Sequence, residues 1–552
     1  MTTLVSSPNQ EKQVLVAESR GAVFTKTWVV DLILDLAGYV SSKNLVDSLA
    51  IEPASGEGAF LLSIINRLVA SCRKQERTIT DCSTSLIAYE IDEETAQKSK
   101  KSIIQALFSL NVSQNDAEYL AEEWVHVGDY LIDAPFLPKA DFVIGNPPYV
   151  RLENIPVTVA DLYRSMYPTM KGRADMYVGF YEAALKQLKT NGTCAYICAD
   201  RWMLNQYGAE LRRFIANNFS VDVVIEMHNA DAFEDEVSAY PAITIIKNKK
   251  QNKAVVASIG PSIEVTGSTF QGAMTNATSG FNIATIENWF KDDSPWPCSS
   301  PQRLKVLRRL ERDFSPLESS NTKTRVGIGI ATGLDSVFIT KNSDAVEKER
   351  LLPLAMASDT LNGHIEWSGH YLVNPWNASG LVELSQYSQL NSYFATHEVA
   401  IKKRHTAEKN PLTWYRTIDR VNHKLTNQPK IYIPDIKNKI NPVLDDGKTY
   451  PHHNLYFIVS DIWDLEVLGG VLMSAIGQFF VECYGVRMRG GYLRFQAQYL
   501  RRIRVPNPNS ITSNQQKILK SAFRTRDLKL ANEVVYQIYR LEKNEIKVMN
   551  AL

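Results

Sequence analysis

The sequence predicts an α/β protein in which a domain built on a mostly parallel sheet precedes a C-terminal mixed α+β domain. Three observations carry this expectation. Residues 22–250 alternate short apolar runs (SLAIEP, SLIAYEID, ADFVIGN, GTCAYICAD, VDVVIEM and AITIIK) with helical stretches such as FLLSIINRLVASCRK, the rhythm of strands joined by crossover helices. At 552 residues the chain exceeds what one ordinary hydrophobic core serves. Around 250–320 the texture turns polar, in VTGSTFQGAMTNATSG and DDSPWPCSSPQ, before a short basic helix, LKVLRRLERDF.

These readings give an N-terminal extension over 1–19, a first domain over 20–255 and a connecting region over 256–320. A second domain over 321–510 and a helical region over 511–552 follow. In the second domain, β-like segments (TRVGIGIATG, SVFITK, KIYIPDI, LYFIVS) mix with a helix candidate, WDLEVLGGVLMSAIGQFFVECY, and another helical stretch covers 512–547. No internal repeat is present, which excludes a solenoid.

A composition of 44% hydrophobic and 22% charged residues is that of a globular protein. No apolar run approaches the roughly 18 residues of a membrane span, and the opening MTTLVSSPNQEKQ has no apolar signal core, so a cytoplasmic protein without a membrane partner is expected. The six cysteines show no zinc-type spacing and read as reduced core thiols; no metal is expected. The net charge of +1 hides an asymmetry. Residues 1–300 hold 26 Lys and Arg against 36 Asp and Glu, and the remainder 35 against 24, so the two parts carry −10 and +11. Such a split favours a polyanion-binding second half over a merely solvated basic surface. Within it, GVRMRGGYLRFQAQYLRRIRVPNP interleaves basic residues with glycine and aromatics, and Arg487, Arg489 and Arg494 are candidate phosphate contacts.

The chemistry concentrates before residue 250. Glu52-Pro53-Ala54-Ser55-Gly56-Glu57-Gly58-Ala59-Phe60 follows an apolar strand and runs into a helix, the setting of a nucleotide-type loop. Glu52 would repel a pyrophosphate there but neutralise an ammonium or sulfonium group. Glu90 ends the next strand, placed to accept from ribose hydroxyls, but it lies too far along the chain from the glycines for the dinucleotide fingerprint, and a third glycine is missing. Asp129 in VHVGDYL follows a further strand; it reads equally as a ligand to an adenine amino group or as a helix N-cap.

The segment Asp141-Phe-Val-Ile-Gly-Asn146-Pro147-Pro148-Tyr149 ends a strand in two prolines, which remove two amide donors and leave a rigid ledge of acceptors. The Asn146 side-chain carbonyl and the Pro147 backbone carbonyl can accept from an NH2 group while Tyr149 stacks on a planar base. Two acceptors that favour a tetrahedral nitrogen free the lone pair of a conjugated amine for in-line attack on a methyl sulfonium.

In their order, GAVFTKTWVVDLI, EPASGEGAF, YEID, GDY, GNPPYVR, RADMYVGFYEAALKQL, GTCAYICADRW and DAFEDEVSA make the chain resemble the gamma-class N6-adenine DNA methyltransferases, the modification methylases of restriction systems. The resemblance covers residues 20–250 well and the remainder loosely. It implies a Rossmann-like domain binding S-adenosylmethionine through Thr25, Glu52, Ala54, Ser55, Gly56, Glu90, Asp129 and Pro148, followed by a target-recognition domain on double-stranded DNA. By the same resemblance Asn146 and Pro147 hold the target amine, and Tyr149 and Phe233 sandwich the flipped base. Lys26 departs from the proline common after the threonine in the family. The expected activity is adenine-N6 methylation by a monomer, with any restriction endonuclease a separate protein, since no nuclease motif is present. The same ledge also suits N4 of cytosine, and a non-catalytic DNA-binding specificity protein with a relic methylase fold is the reading from a different class.

Overall fold

The apolar runs become strands of one nine-stranded sheet: β1 (Ala50–Glu52), β2 (Leu86–Glu90), β3 (Val125–Val127), β4 (Ala140–Gly145), β5 (Leu188–Ala199), β6 (Ser220–Glu226), β7 (Pro241–Lys247), β8 (Ala254–Ile259) and β9 (Phe281–Ile286). The computed structural model describes residues 24–234, 240–261, 263–275, 281–485 and 492–551. Strand order is β3-β2-β1-β4-β5-β7-β6-β8-β9. The pairings from β3 to β5 are all parallel, with Ile51 opposite both Ile87 and Val143. β7 then inserts antiparallel between β5 and β6. Every residue of β1 is buried, as a central strand covered on both faces requires.

This order has one consequence for function. From β1 the chain moves outward through β2 and β3, then returns across β1 to β4 and β5, so the strand order reverses between β1 and β4. A crevice at the carboxyl ends of the strands forms at such a reversal, where no crossover connection fills the space.

Helix Ala59–Lys74 runs on from the glycine loop, burying Phe60, Leu61, Ile64, Ile65, Leu68, Val69 and Cys72 at helical spacing. With Val29, Val30 and Ile33 of helix Thr27–Ala37 and the buried Trp124 they belong to the core of this unit. Trp124 satisfies its indole N–H on the Cys82 carbonyl at 2.9 Å. All six cysteines are buried and none forms a disulfide.

The sheet continues past the boundary expected at 255. β8 pairs in parallel with β6 and β9 antiparallel with β8, so much of the expected connecting region completes the first sheet. β8 lies between β6 and β9, and β9 forms the sheet edge; the polar sequence between AVVASI and FNIATI disguised their pairing. The chain divides into compact units Met1–Leu304 and Lys305–Leu552.

In the second unit, Thr324–Ile328, Leu455–Ser460, Lys430–Pro434 and Val443–Asp445 form an antiparallel sheet in that order. Its buried Lys430 pairs with Asp445 at 3.0 Å. A second small sheet joins Ile339–Thr340, Tyr371–Val373, Leu351–Ala355 and Tyr450–Pro451. The single helix expected around WDLEVLGGVLMSAIGQFFVECY is two, Leu465–Leu472 and Ala475–Tyr484, bent by 60°. Ser474 makes the break: its hydroxyl donates to the Val471 carbonyl at 2.7 Å and accepts from the Ile476 N–H at 3.3 Å, capping the second helix. Among the described residues no single helix is long and apolar enough to cross a membrane. The C-terminal stretch forms three helices, Ser513–Thr525, Leu528–Ile538 and Lys543–Asn550.

Candidate active site

A cavity of about 370 Å³ opens at the carboxyl ends of the parallel strands, and four of them each deliver a polar side chain to its wall: Glu52 from β1, Glu90 from β2, Asp129 after β3 and Asn146 after β4. The glycine loop forms its floor. Gly56 and Gly58 take positive φ angles of 53° and 96°, a conformation that costs other residues strain and lets the chain turn directly into helix Ala59–Lys74. A Cβ on Gly56 would meet nothing within 4 Å, so its backbone lies open.

Glu90 organises this loop. Its carboxylate accepts from the Gly56 N–H and from the Asp92 N–H, both at 2.9 Å. Ser99 donates to the Gly56 carbonyl at 2.6 Å, and the Ser55 N–H donates to the Tyr89 carbonyl at 2.8 Å. Asp129 takes the helix-cap reading and also lines the cavity. One oxygen caps helix Tyr130–Asp133 by accepting from the Leu131 N–H at 3.0 Å, the other accepts from the Tyr163 hydroxyl, and the residue still lines the cavity.

The electrostatics are one-sided. Burial, with Glu90 close by, pushes the Glu52 carboxyl well above the usual carboxylate range. Burial also raises Glu90 and Asp129, against the lowering effect of the N–H and O–H groups that bond to them. Glu52 Oε2 and Ser55 Oγ are buried without a hydrogen-bond partner in the protein. Three desolvated carboxyls and unsatisfied oxygens are costly in isolation; they fit a ligand that brings positive charge and hydroxyl or amino donors.

Across the cavity, Asn146 donates its amide nitrogen to the Thr25 hydroxyl at 3.2 Å. Tyr149 packs edge-on against Tyr177, ring centroids 6.3 Å apart, and its enclosed hydroxyl has no partner. The Tyr177 hydroxyl donates to Asp175 at 2.6 Å and lies 2.6 Å from the Tyr207 hydroxyl, which also reaches Asp175.

A model described as Eco57I restriction-modification methylase matches residues 64–233, and one described as TaqI-like C-terminal specificity domain matches residues 382–505. The type II methyltransferase M.PaeR7I of Pseudomonas aeruginosa is 41% identical over 96% of this chain and 93% of its own. M.XhoI of Xanthomonas vasicola is 39% identical over 96% and 98%. The chain belongs to the type II DNA methyltransferases. A further relative, M.BstVI of Geobacillus stearothermophilus, is 38% identical over 96% and 97%. The fold is shared with the type IIL restriction-modification enzyme MmeI, solved with DNA, at a TM-score of 0.55 and 11% identity over 97% of this chain and 76% of that one.

Within this restriction-modification methyltransferase, Thr25, Glu52, Ala54, Ser55, Gly56, Glu90, Asp129 and Pro148 line the same cavity as Asn146, Pro147 and Tyr149. Phe233 does not line it. Expected to face Tyr149 across a base, it is 8% exposed, belongs to the hydrophobic core and pairs its backbone with Thr25. The apolar ring is placed by core packing there, beside a strand-like contact that positions Thr25. Lys26, in place of proline, pairs with Asp231 at 2.5 Å and donates its backbone N–H to the Ala232 carbonyl at 3.0 Å, closing the same contact.

Arg494 is not a free cation. Its guanidinium forks onto Asp435, with Nε 3.1 Å from Oδ1, and this ion pair joins the two-stranded contact between Ile436–Lys437 and Leu493–Arg494. Arg487 and Arg489 lie outside the described residues. Sequence reasoning missed Tyr163, which carries no local signal, and Asp175, which sat inside the quoted RADMY segment as an unassigned acid.

Proposed function

We propose that this methyltransferase transfers a methyl group from S-adenosylmethionine to N6 of an adenine flipped out of duplex DNA. The observation that carries this is the opening of the Asn146–Tyr149 ledge into the same cavity as the glycine loop and the partnerless Glu52. When bound, S-adenosylmethionine supplies a methyl group activated by a sulfonium charge.

The chain's own residues do the rest. Glu52 offers a buried carboxylate oxygen without a protein partner to the cationic end of the cofactor, Glu90 and Ser55 face its hydroxyls, and Asp129 faces its base. With its nitrogen tied to Thr25, the Asn146 amide is held in one orientation, and Oδ1 with the Pro147 carbonyl accepts from the target amine. That pair favours a tetrahedral nitrogen whose lone pair points along the line of attack on the methyl group that bound S-adenosylmethionine would supply, where the methyl–sulfur bond would break as the nitrogen–methyl bond forms and the excess proton would pass from the nitrogen to solvent. Tyr149, braced by Tyr177, gives the extruded base a face to stack on. A single copy holds both the cofactor cavity and the ledge, which supports action as a monomer, with any restriction endonuclease a separate protein.

Sequencing DNA from a host expressing the protein, with a method that reports modified bases, tests this reading. N6-methyladenine in one recurring context is expected. N4-methylcytosine would overturn the choice of base, and unmodified DNA would favour a relic fold used only for binding.

A further inference from the structure

A second polar cluster lies in the C-terminal unit, where the segment after strand Thr324–Ile328 meets the residues following Pro451. Asp335 begins the short helix Asp335–Phe338, and His452 and His453 stand side by side 117 positions later. One donor atom from each of the three lies within 4.8 Å of a donor atom of the other two. The closest, Asp335 Oδ2 and His452 Nε2, are 3.1 Å apart. The two are hydrogen-bonded, at a spacing close to the roughly 3.3 Å that separates two ligands each about 2.0 Å from a tetrahedral zinc ion.

The imidazole rings are 4.0 Å apart between centroids, tilted by 56°, and so lie on the same side of the chain instead of alternating. The His452 side chain is buried and turns its Nε2 toward Asp335. The backbone is already drawn tight at this point. The Ile330 N–H donates to the Pro451 carbonyl at 2.9 Å, the His453 N–H donates to the Ile330 carbonyl at 3.0 Å, and a Cβ on Gly329 would fall 2.2 Å from the His452 carbonyl oxygen.

We propose that Asp335, His452 and His453 bind one divalent zinc-class ion that clips these two segments of the specificity unit together. Two imidazoles and a carboxylate are a common zinc donor set, and the exposure of Asp335 and His453 leaves a fourth position for water. The site reaches beyond what cysteine spacing can reveal, because its ligands are separated in sequence and none is a thiol. The other cluster of comparable donors, Asp200, His228 and Cys298 in the first unit, already closes on itself: His228 Nε2 lies 2.7 Å from Asp200 and Nδ1 3.2 Å from Glu226.

The full-length protein, stripped with a chelator, is titrated with zinc ions against a chromophoric competitor. One saturable equivalent is expected. His453→Ala and Asp335→Asn, both at exposed positions, should each weaken it by at least about tenfold while His228→Ala leaves it unchanged. Thermal unfolding without metal shows that the variants fold, and added zinc should raise the midpoint of the wild type but not of His453→Ala. Cobalt in place of zinc should give visible bands without thiolate charge transfer. Absence of a stoichiometric site, equal affinity in His453→Ala and Asp335→Asn, or a thiolate band assigning the ion to Cys298 would each overturn the proposal.

Discussion

The Asn146 amide nitrogen donates to the Thr25 hydroxyl at 3.2 Å, joining the ledge after β4 to a segment 121 positions earlier in the chain. Thr25 is itself held by its backbone pairing with Phe233. The bond decides which way the amide faces, because an amide free to rotate presents nitrogen and oxygen equally to a target amine. Thr25→Val should therefore lower turnover by roughly tenfold, about 1.4 kcal/mol of lost positioning, while Thr25→Ser retains most of it. Asn146→Ala should cost at least about a hundredfold. Single-turnover methylation with saturating cofactor measures both; full activity in Thr25→Val would show that the hydroxyl does not set the amide.

Glu52 links cofactor binding to pH. Burial and Glu90 raise its carboxyl well above the usual range, so in the empty cavity the protonated form persists to higher pH than in an unfolded chain. A cationic ligand favours the ionised form, so S-adenosylmethionine affinity should rise with pH through the raised value and fall as the carboxyl protonates below it. Glu52→Gln should bind more weakly and lose this dependence in isothermal titration.

The same shift has the opposite sign for stability. A group whose folded value is raised contributes stability that is fully present below its unfolded pKa and is lost as pH rises through the folded one. Removing the charge should therefore raise the thermal midpoint of the ligand-free enzyme at neutral and alkaline pH, a stabilising change that costs function. Calorimetry of Glu52→Gln across pH checks this. A midpoint unchanged or lowered at high pH would mean that the wild-type carboxylate is solvated.

Tyr149 and Phe233 should separate experimentally. With a fluorescent adenine analogue at the target position, Tyr149→Ala should reduce the emission rise on DNA binding, since stacking on an aromatic contributes about 1–3 kcal/mol. Phe233→Ala should instead lower thermal stability by roughly 3–5 kcal/mol, as truncation of a core phenylalanine does. A Phe233→Ala protein with wild-type stability and no emission rise would return this residue to the base pocket.

Arg494→Glu should act on folding before it acts on DNA. It places a carboxylate against Asp435 and removes a forked ion pair, for a loss on the order of 1 kcal/mol. Charge reversal of Arg487 and Arg489 should weaken DNA binding and flatten its salt dependence. Melting curves and titrations at two salt concentrations distinguish these effects. Unchanged DNA affinity in the double variant would place the phosphate contacts elsewhere in the +11 half.

What the sequence determined by itself is local. Alternation of apolar runs and helices specified the parallel sheet, because strand and helix periods are written in neighbouring residues. The glycine loop and the Asn-Pro-Pro-Tyr ledge were legible for the same reason: φ restrictions at Gly56 and Pro147 act within a few bonds. Tertiary structure alone decided how side chains far apart in the chain are shared. It gave Asp129 to both a helix cap and the cavity wall, tied Asn146 to Thr25, put Phe233 in the core and spent Arg494 on Asp435. It also carried the first sheet to Ile286 and brought Asp335 to the histidine pair. Hydrogen-bond partners and burial depend on which surfaces meet after the chain folds back, and residue types and spacing do not encode that meeting point by point.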